Sequence, residues 1–445
     1  MESNEIILVI MPISLESWIP SDTPTLTTLK SIATTHAPGL SSTLTSALAK
    51  ASTATVTADL YDISQEIRGA QASLTIISAE NVLATATEEA VKARATQAIF
   101  AATSNLKELA DERNLYDTTL SRPANIIYLV VFFIQFVYFL VMVWKSRFHW
   151  FNITFICGYG LEFAGFLGRV LSFSDNTQQS YYLLQFVALT IAPAFIMAGI
   201  YFLFAQCVVI FGRKYSMLKP MWYSYFFIGC DVLSLIIQSI GGAMASTASS
   251  SNEDPTTGKN VMIVGIVFQV FAMTIFLGFW FVFLNRCFFK VVDHEDLPPD
   301  YAMHSMARST PANYIKMLCN GRSAREYSAT YREPVYNPKY ANIRQRAAFK
   351  VLPVGITVAV IVVYIRCVYR VVELIQGFDG YLMTHEIYLM ILDALMIALC
   401  GFIFLPLHPV WAIGSENVIK RRMITQNQDE KVEEKEEWSE TVSSV

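Results

Sequence analysis

The sequence predicts an all-α membrane protein, a bundle of seven transmembrane helices with its amino terminus outside the cytosol and its carboxy terminus inside. Three observations predict it. Of 445 residues, 53% are hydrophobic and 16% charged, where soluble chains carry about 25% charged residues. Seven apolar runs each approach the roughly 20 residues that a helix needs to cross the hydrocarbon core. Lysine and arginine gather in alternate loops, which fixes the orientation.

The spans are expected at 124–144, 151–172, 182–211, 221–245, 261–285, 350–372 and 386–407. Trp144, Trp150, Trp222 and Trp411 mark several of their ends, as befits side chains that prefer the headgroup layer. Lys145 and Arg147 follow the first span, Arg213, Lys214 and Lys219 the third, and Lys420, Arg421 and Arg422 the seventh. The loop from Arg286 to Lys350 is richest, with eleven Lys and Arg. Between spans four and five stands only Lys259, and between Gly377 and His385 there is none. The basic loops are therefore expected in the cytosol.

Outside the spans, residues 1–115 form an Ala-, Ser- and Thr-rich extension, expected to be partly helical or disordered. Its run Ile6 to Ile13 is too short to cross a membrane and follows Glu2 and Glu5, so it does not read as a signal peptide. The seven-span domain covers 116–415, and 416–445 is an acidic tail expected to be disordered in the cytosol. Within the domain, loop 286–349 holds Pro298, Pro299, Pro311, Pro334 and Pro338, which are expected to break any regular element. It reads as a solvated segment whose charge sets topology, or as a site for a cytosolic protein partner or lipid headgroups.

The net charge of −4 favours neither nucleic acid nor acidic partners. The seven cysteines form no CxxC pair, which argues against a disulfide framework or zinc site. No phosphate loop, HExxH or GxSxG elbow occurs, and His149, His385 and His408 sit at span ends on both sides of the membrane. No catalytic residue, cofactor site or metal site is therefore expected.

An ionisable residue inside a span costs about 2.5–3.5 kcal/mol on insertion scales and so marks a partner or a wet cavity. Glu162 and Arg169 share one face of span two with Gly158 and Gly165. Span four carries Asp231, Ser234, Gln238 and Gly241, span six Arg366, Arg370 and Glu373, and span seven Glu386 and Asp393. Two readings stand: ion pairs that hold the bundle together, or a polar cleft that opens outward and ends near Glu162 and Asp231. Asp231, with no basic residue in its own span, favours the cleft. Pro193, mid-span, frees a backbone carbonyl and is a candidate hinge.

Several stretches then carry a family likeness: GYGLEFAGFLGR, APAFIMAGIYFLFAQ, FFIGCDVLSLIIQSIGGAM and IRCVYRVVELIQGFDGYLMTHEIYLMILDALM, followed by HP. Over residues 116–415 the chain resembles the fungal lipid-translocating exporters. The resemblance marks Glu162, Gly165, Arg169, Pro193, Tyr201, Asp231, Gln238, Gly241 and Gly242. It also marks Arg366, Arg370, Glu373, Gly377, Glu386, Asp393, His408 and Pro409. It implies a plasma-membrane protein that moves amphipathic lipids, such as sphingoid long-chain bases, or toxic hydrophobic compounds without nucleotide, giving lipid homeostasis or drug resistance. The long extension departs from the short start expected of that family. Seven spans with an external amino terminus equally suit a receptor or membrane stress sensor.

Overall fold

The computed structural model describes residues 30–416 apart from 56, 113–115, 117–119, 175–177, 251–253, 291–303 and 378–379. The acidic tail and the Ile6 to Ile13 run lie outside them. Helices dominate the described residues, and none of those residues is in a strand.

The chain divides into two units, one comprising Met1–Asp117 and Met244–Thr256, the other Thr118–Ala243 and Thr257–Val445. In the first, helices α1 (Ala37–Ala51), α2 (Thr57–Thr85) and α3 (Glu89–Glu112) follow one another. The last two pack through small residues, Ala72, Ala79, Ala95 and Ala102, around Ile76 and Ile99. Arg68 closes their end with an ion pair to Glu112 at 3.1 Å.

The second unit holds the long apolar helices, seven of them long enough to cross a membrane. They are α4 (Arg122–Lys145), α5 (His149–Leu171), α6 (Gln179–Phe211), α7 (Pro220–Ser250) and α8 (Thr256–Phe289). After a structured loop with α9 (Pro311–Leu318) and α10 (Arg322–Tyr327) come α11 (Ala347–Gln376) and α12 (Glu386–Ala412). The protein is thus an integral, multi-pass, all-α membrane protein. Helix α6 is the most enclosed and α4 the most peripheral. Ile126, Ile127, Val130, Phe133 and Ile134 of α4 lie exposed, a surface that only lipid could cover at low cost.

Glycine lets the helices approach closely. A Cβ at Gly168 would lie 2.9 Å from the Tyr181 carbonyl, and one at Gly241 would lie 2.5 Å from the Met262 nitrogen. Both obstacles are backbone, so neither can swing aside. An aromatic layer fills the centre: Phe204 packs edge-on against Trp280 and Phe276, and Trp280 Nε1 donates to Thr357 Oγ1 at 2.9 Å.

Pro298 and Pro299 lie outside the described residues, and the described part of the loop before α11 departs from the sequence expectation. Pro311 opens α9, while Pro334 and Pro338 sit in the first turns of the 3-10 segments Glu333–Val335 and Pro338–Tyr340. A proline there gives up an N–H that has no helical acceptor, so it starts structure rather than breaking it. Two buried arginines fix this segment to the bundle. Arg332 Nε donates to the Cys287 carbonyl at 3.1 Å and its Nη2 to that of Lys290 at 3.1 Å. Arg344 Nη1 reaches the Ile210 carbonyl at 2.9 Å. These carbonyls end α8 and α6, where no helical donor remains and a cation is favoured. Tyr336 donates to the same Cys287 carbonyl, and burial beside Cys287 pushes its phenol pKa up.

Helix α7 offers an internal control for close packing. Gly241→Ala should destabilise the detergent-solubilised protein by about 1–3 kcal/mol through overpacking. Gly229→Ala, with nothing within 4 Å of its added Cβ, should leave the melting temperature unchanged or slightly raised, because alanine is the better helix former. Thermal unfolding of the two variants checks the contrast.

Candidate functional site

Five of the residues singled out in the sequence meet inside the second unit. Asp393 is the centre: one of its oxygens accepts from Arg366 Nε and the other from Arg370 Nη2. Arg370 Nη1 turns to Glu373 Oε2 at 2.9 Å, and Tyr369 donates to Glu373 Oε1 at 2.8 Å. Arg366, Asp393 and Glu373 are each at most 3% exposed. Two cations and two carboxylates neutralise one another in a setting where any one of them alone would be costly.

The helices place these groups for identifiable reasons. Arg366, Arg370 and Glu373 lie at offsets of four and three on α11, hence on one face. Asp393 comes from Leu389–Ala394, a stretch wound as π-helix at the start of α12; the wider turn re-aims a side chain relative to an α-helical register. Arg366 Nη2 also donates to the carbonyl of Leu189. That carbonyl stands four residues before Pro193, whose missing N–H would otherwise have been its helical donor. The proline within α6 and the arginine on α11 thus complete each other.

Glu162 is fully buried on α5 and lies within electrostatic reach of Arg366, Asp393 and Arg370. Neither of its oxygens has a hydrogen-bond partner among the described residues. Beside the network is a cavity of about 30 Å³, lined by Thr190, Gln238, Gln269, Arg366, Arg370 and Glu373 among others. It has room for a water or two and not for a lipid headgroup. Gln238 Nε2 bridges α7 to Gln269 Oε1 on α8 at 3.2 Å.

Asp231 does not line this cavity. It is 4% exposed, faces the Tyr201 hydroxyl, and keeps one oxygen, Oδ2, buried without a partner. Cys367, which does line the cavity, is its neighbour. Arg169 and Glu386 are also apart from the cavity, joined in an ion pair of their own. Asn125 Nδ2 donates to Glu386 Oε1 at 2.8 Å while its Oδ1 accepts from Arg169 Nε at 2.6 Å, and the Ser121 N–H donates to Glu386 Oε2 at 2.7 Å. This clamp ties the start of α4 and the end of α5 to the start of α12.

His408, at the far end of α12, is buried and its Nε2 lies 2.7 Å from Asn152 Oδ1. Asn152 is itself fully buried and donates to the Met142 carbonyl, an arrangement that joins α4, α5 and α12 at that end. Asn125, Thr190, Tyr369 and Gln269 escaped the sequence reading. For Asn125 a signal was available, since it opens the first apolar run with an amide that must find partners.

Fold and site together define a polytopic membrane protein whose polar chemistry is sealed between its helices. The family described as RTA1 like protein matches residues 155–416, more than half of the chain, and the chain belongs to that family. It is 37% identical to the sphingoid long-chain base transporter RSB1 of Saccharomyces cerevisiae strain JAY291, over 61% of this chain and 67% of that protein. For strain ATCC 204508 / S288c the identity is 38%, over 60% of this chain and 66% of the relative, so the chain spans about two thirds of these relatives' length. The protoporphyrin uptake protein 1 of the latter strain is 26% identical over 54% of this chain and 63% of its own. No solved structure matches.

The network sets a stability hierarchy. Asp393→Asn strands two buried arginines with one carboxylate between them and should cost about 3–5 kcal/mol. Lys316→Gln, on the exposed loop surface, should cost nothing measurable. Denaturation in mild detergent compares them; an Asp393→Asn protein as stable as the parent contradicts the assignment.

Proposed function

We propose that this protein moves amphipathic lipids with a cationic headgroup, of the sphingoid long-chain base kind, from one leaflet of the plasma membrane to the other, without enzymatic chemistry. The observation that carries this reading is Glu162: a fully buried carboxyl with no hydrogen-bond partner among the described residues, set beside a network whose charges already balance. A primary ammonium with its hydroxyl neighbours supplies the charge and donors that Glu162 lacks. Asp231, with an oxygen likewise unpartnered among the described residues, is a second station, and Gln238, which lines the small cavity, is a neutral contact. The names of the RSB1 relatives support this choice of cargo. Export of toxic hydrophobic compounds is the same activity on other cargo.

The cavity of about 30 Å³ is too small for that cargo, so passage requires the helices around it to part. Pro193 is the hinge in this reading. The bond from Arg366 to the Leu189 carbonyl is the latch that must open, while Arg169 and Glu386 hold the neighbouring helices together. The excess of lysine and arginine in the loops after spans one, three, five and seven puts those loops in the cytosol. The extension before α4 then lies outside, and segment 286–349 is open to cytosolic protein partners.

The test is leaflet-resolved movement of a fluorescent sphingoid base in vesicles reconstituted with the protein. Glu162→Gln and Asp231→Asn, which keep shape and remove charge, should each slow movement about tenfold or more, the worth of one lost charge-assisted bond. The N-acylated analogue, which has no ammonium, should not be moved. Binding without crossing would instead favour the receptor reading, and movement indifferent to both substitutions would rule out these carboxyls as the amine site.

A further inference from the structure

A second cavity, of about 330 Å³, lies where α6 and α8 end and α11 begins, at the opposite end of the bundle from the Arg169–Glu386 clamp. It falls within the size range of ligand sites, an order of magnitude above the cavity lined by Arg366 and Arg370. Its apolar wall comes from the helix ends, through Phe211, Phe288 and Phe349, and its polar wall from the loop. Arg325, Arg344 and Lys350 face it against a single carboxylate, Glu333. The surplus is cationic, the reverse of what an ammonium lipid needs.

Arg344 is the informative residue. It is 4% exposed, and its guanidinium is fixed on two sides. Nε donates to Glu333 Oε1 at 3.0 Å, and Nη1 donates to the carbonyls of Ile210 at 2.9 Å and Asn337 at 2.7 Å. The third nitrogen, Nη2, is buried without an acceptor among the described residues. A buried guanidinium nitrogen without an acceptor is an unmet demand for an oxyanion. Lys350, on the first turns of α11, makes no ion pair among the described residues. Nothing in the charge network or the clamp uses this site.

We propose that this cavity binds an anionic amphiphile through its phosphate monoester, with Arg344, Arg325 and Lys350 on the phosphate and the alkyl chain along Phe211, Phe288 and Phe349. The juxtaposition decides for an amphiphile: cations from the loop meet phenylalanines at the depth where apolar spans terminate. Occupancy bolts the loop to the ends of α6 and α11. The proposal does not depend on the cargo assigned to Glu162.

The experiment is isothermal titration of the full chain in phosphatidylcholine nanodiscs with dioctanoyl phosphatidic acid, inorganic phosphate and dioctanoyl phosphatidylcholine. Phosphatidic acid should bind, phosphatidylcholine should not, and inorganic phosphate should bind far more weakly. Because Arg344 also holds the loop, the deciding variant is Arg325→Gln with Lys350→Gln, two exposed side chains whose loss spares the fold. It should weaken phosphatidic acid binding about tenfold or more while leaving the melting temperature unchanged. Binding that ignores the double substitution, an absence of phosphatidic acid binding, or inorganic phosphate binding as tightly as the lipid each overturns the proposal.

Discussion

Asp393 holding both Arg366 and Arg370 is the interaction on which the rest of the second unit depends. Removing any one charge leaves another unpaired among buried side chains, so the residues of the network depend on one another. Through Arg366 the network takes hold of the Leu189 carbonyl, and through that of α6, the most enclosed helix. It therefore couples α12, α11 and α6, the last through the carbonyl that Pro193 leaves free.

Glu162 stands outside that balance. Its neighbours already balance one another in charge, and its own oxygens have no donor among the described residues. The arrangement separates two tasks that the sequence alone presents as one row of charged residues: Arg366, Arg370, Glu373 and Asp393 hold helices together, and Glu162 remains to meet something else. The ion-pair reading describes Arg366, Arg370, Glu373 and Asp393, and Arg169 with Glu386. Clamp and network occupy separate positions along the bundle, which leaves the helices between them joined at defined points rather than throughout.

Much of this was legible in the sequence. The seven spans were, because a run of apolar side chains has few alternatives to lipid. The charged positions were as well, because a charge inside such a run is expensive enough to demand a reason. Offsets within a helix correctly put Arg366, Arg370 and Glu373 on one face. Pairing between helices was not legible: nothing within a single span says that Arg169 meets Glu386 while Arg366 and Arg370 meet Asp393. Nor does any hydrophobic period reveal the π-helical turn that aims Asp393. The loop was misread for a related reason. Arg332 and Arg344 bind carbonyls 45 and 134 residues away, and only such distant partners turn a proline-rich, basic segment into a structured cap.

The most direct test of this account is a double-mutant cycle on unfolding free energy with Arg366→Leu and Asp393→Leu. Each single substitution leaves the buried network with a net charge, and the pair together restores neutrality through Arg370 and Glu373. The account therefore predicts a double variant that is more stable than Asp393→Leu alone, with a coupling of about 1–3 kcal/mol. Strictly additive losses would mean that the two groups do not depend on each other, and the central role given to Asp393 would be wrong.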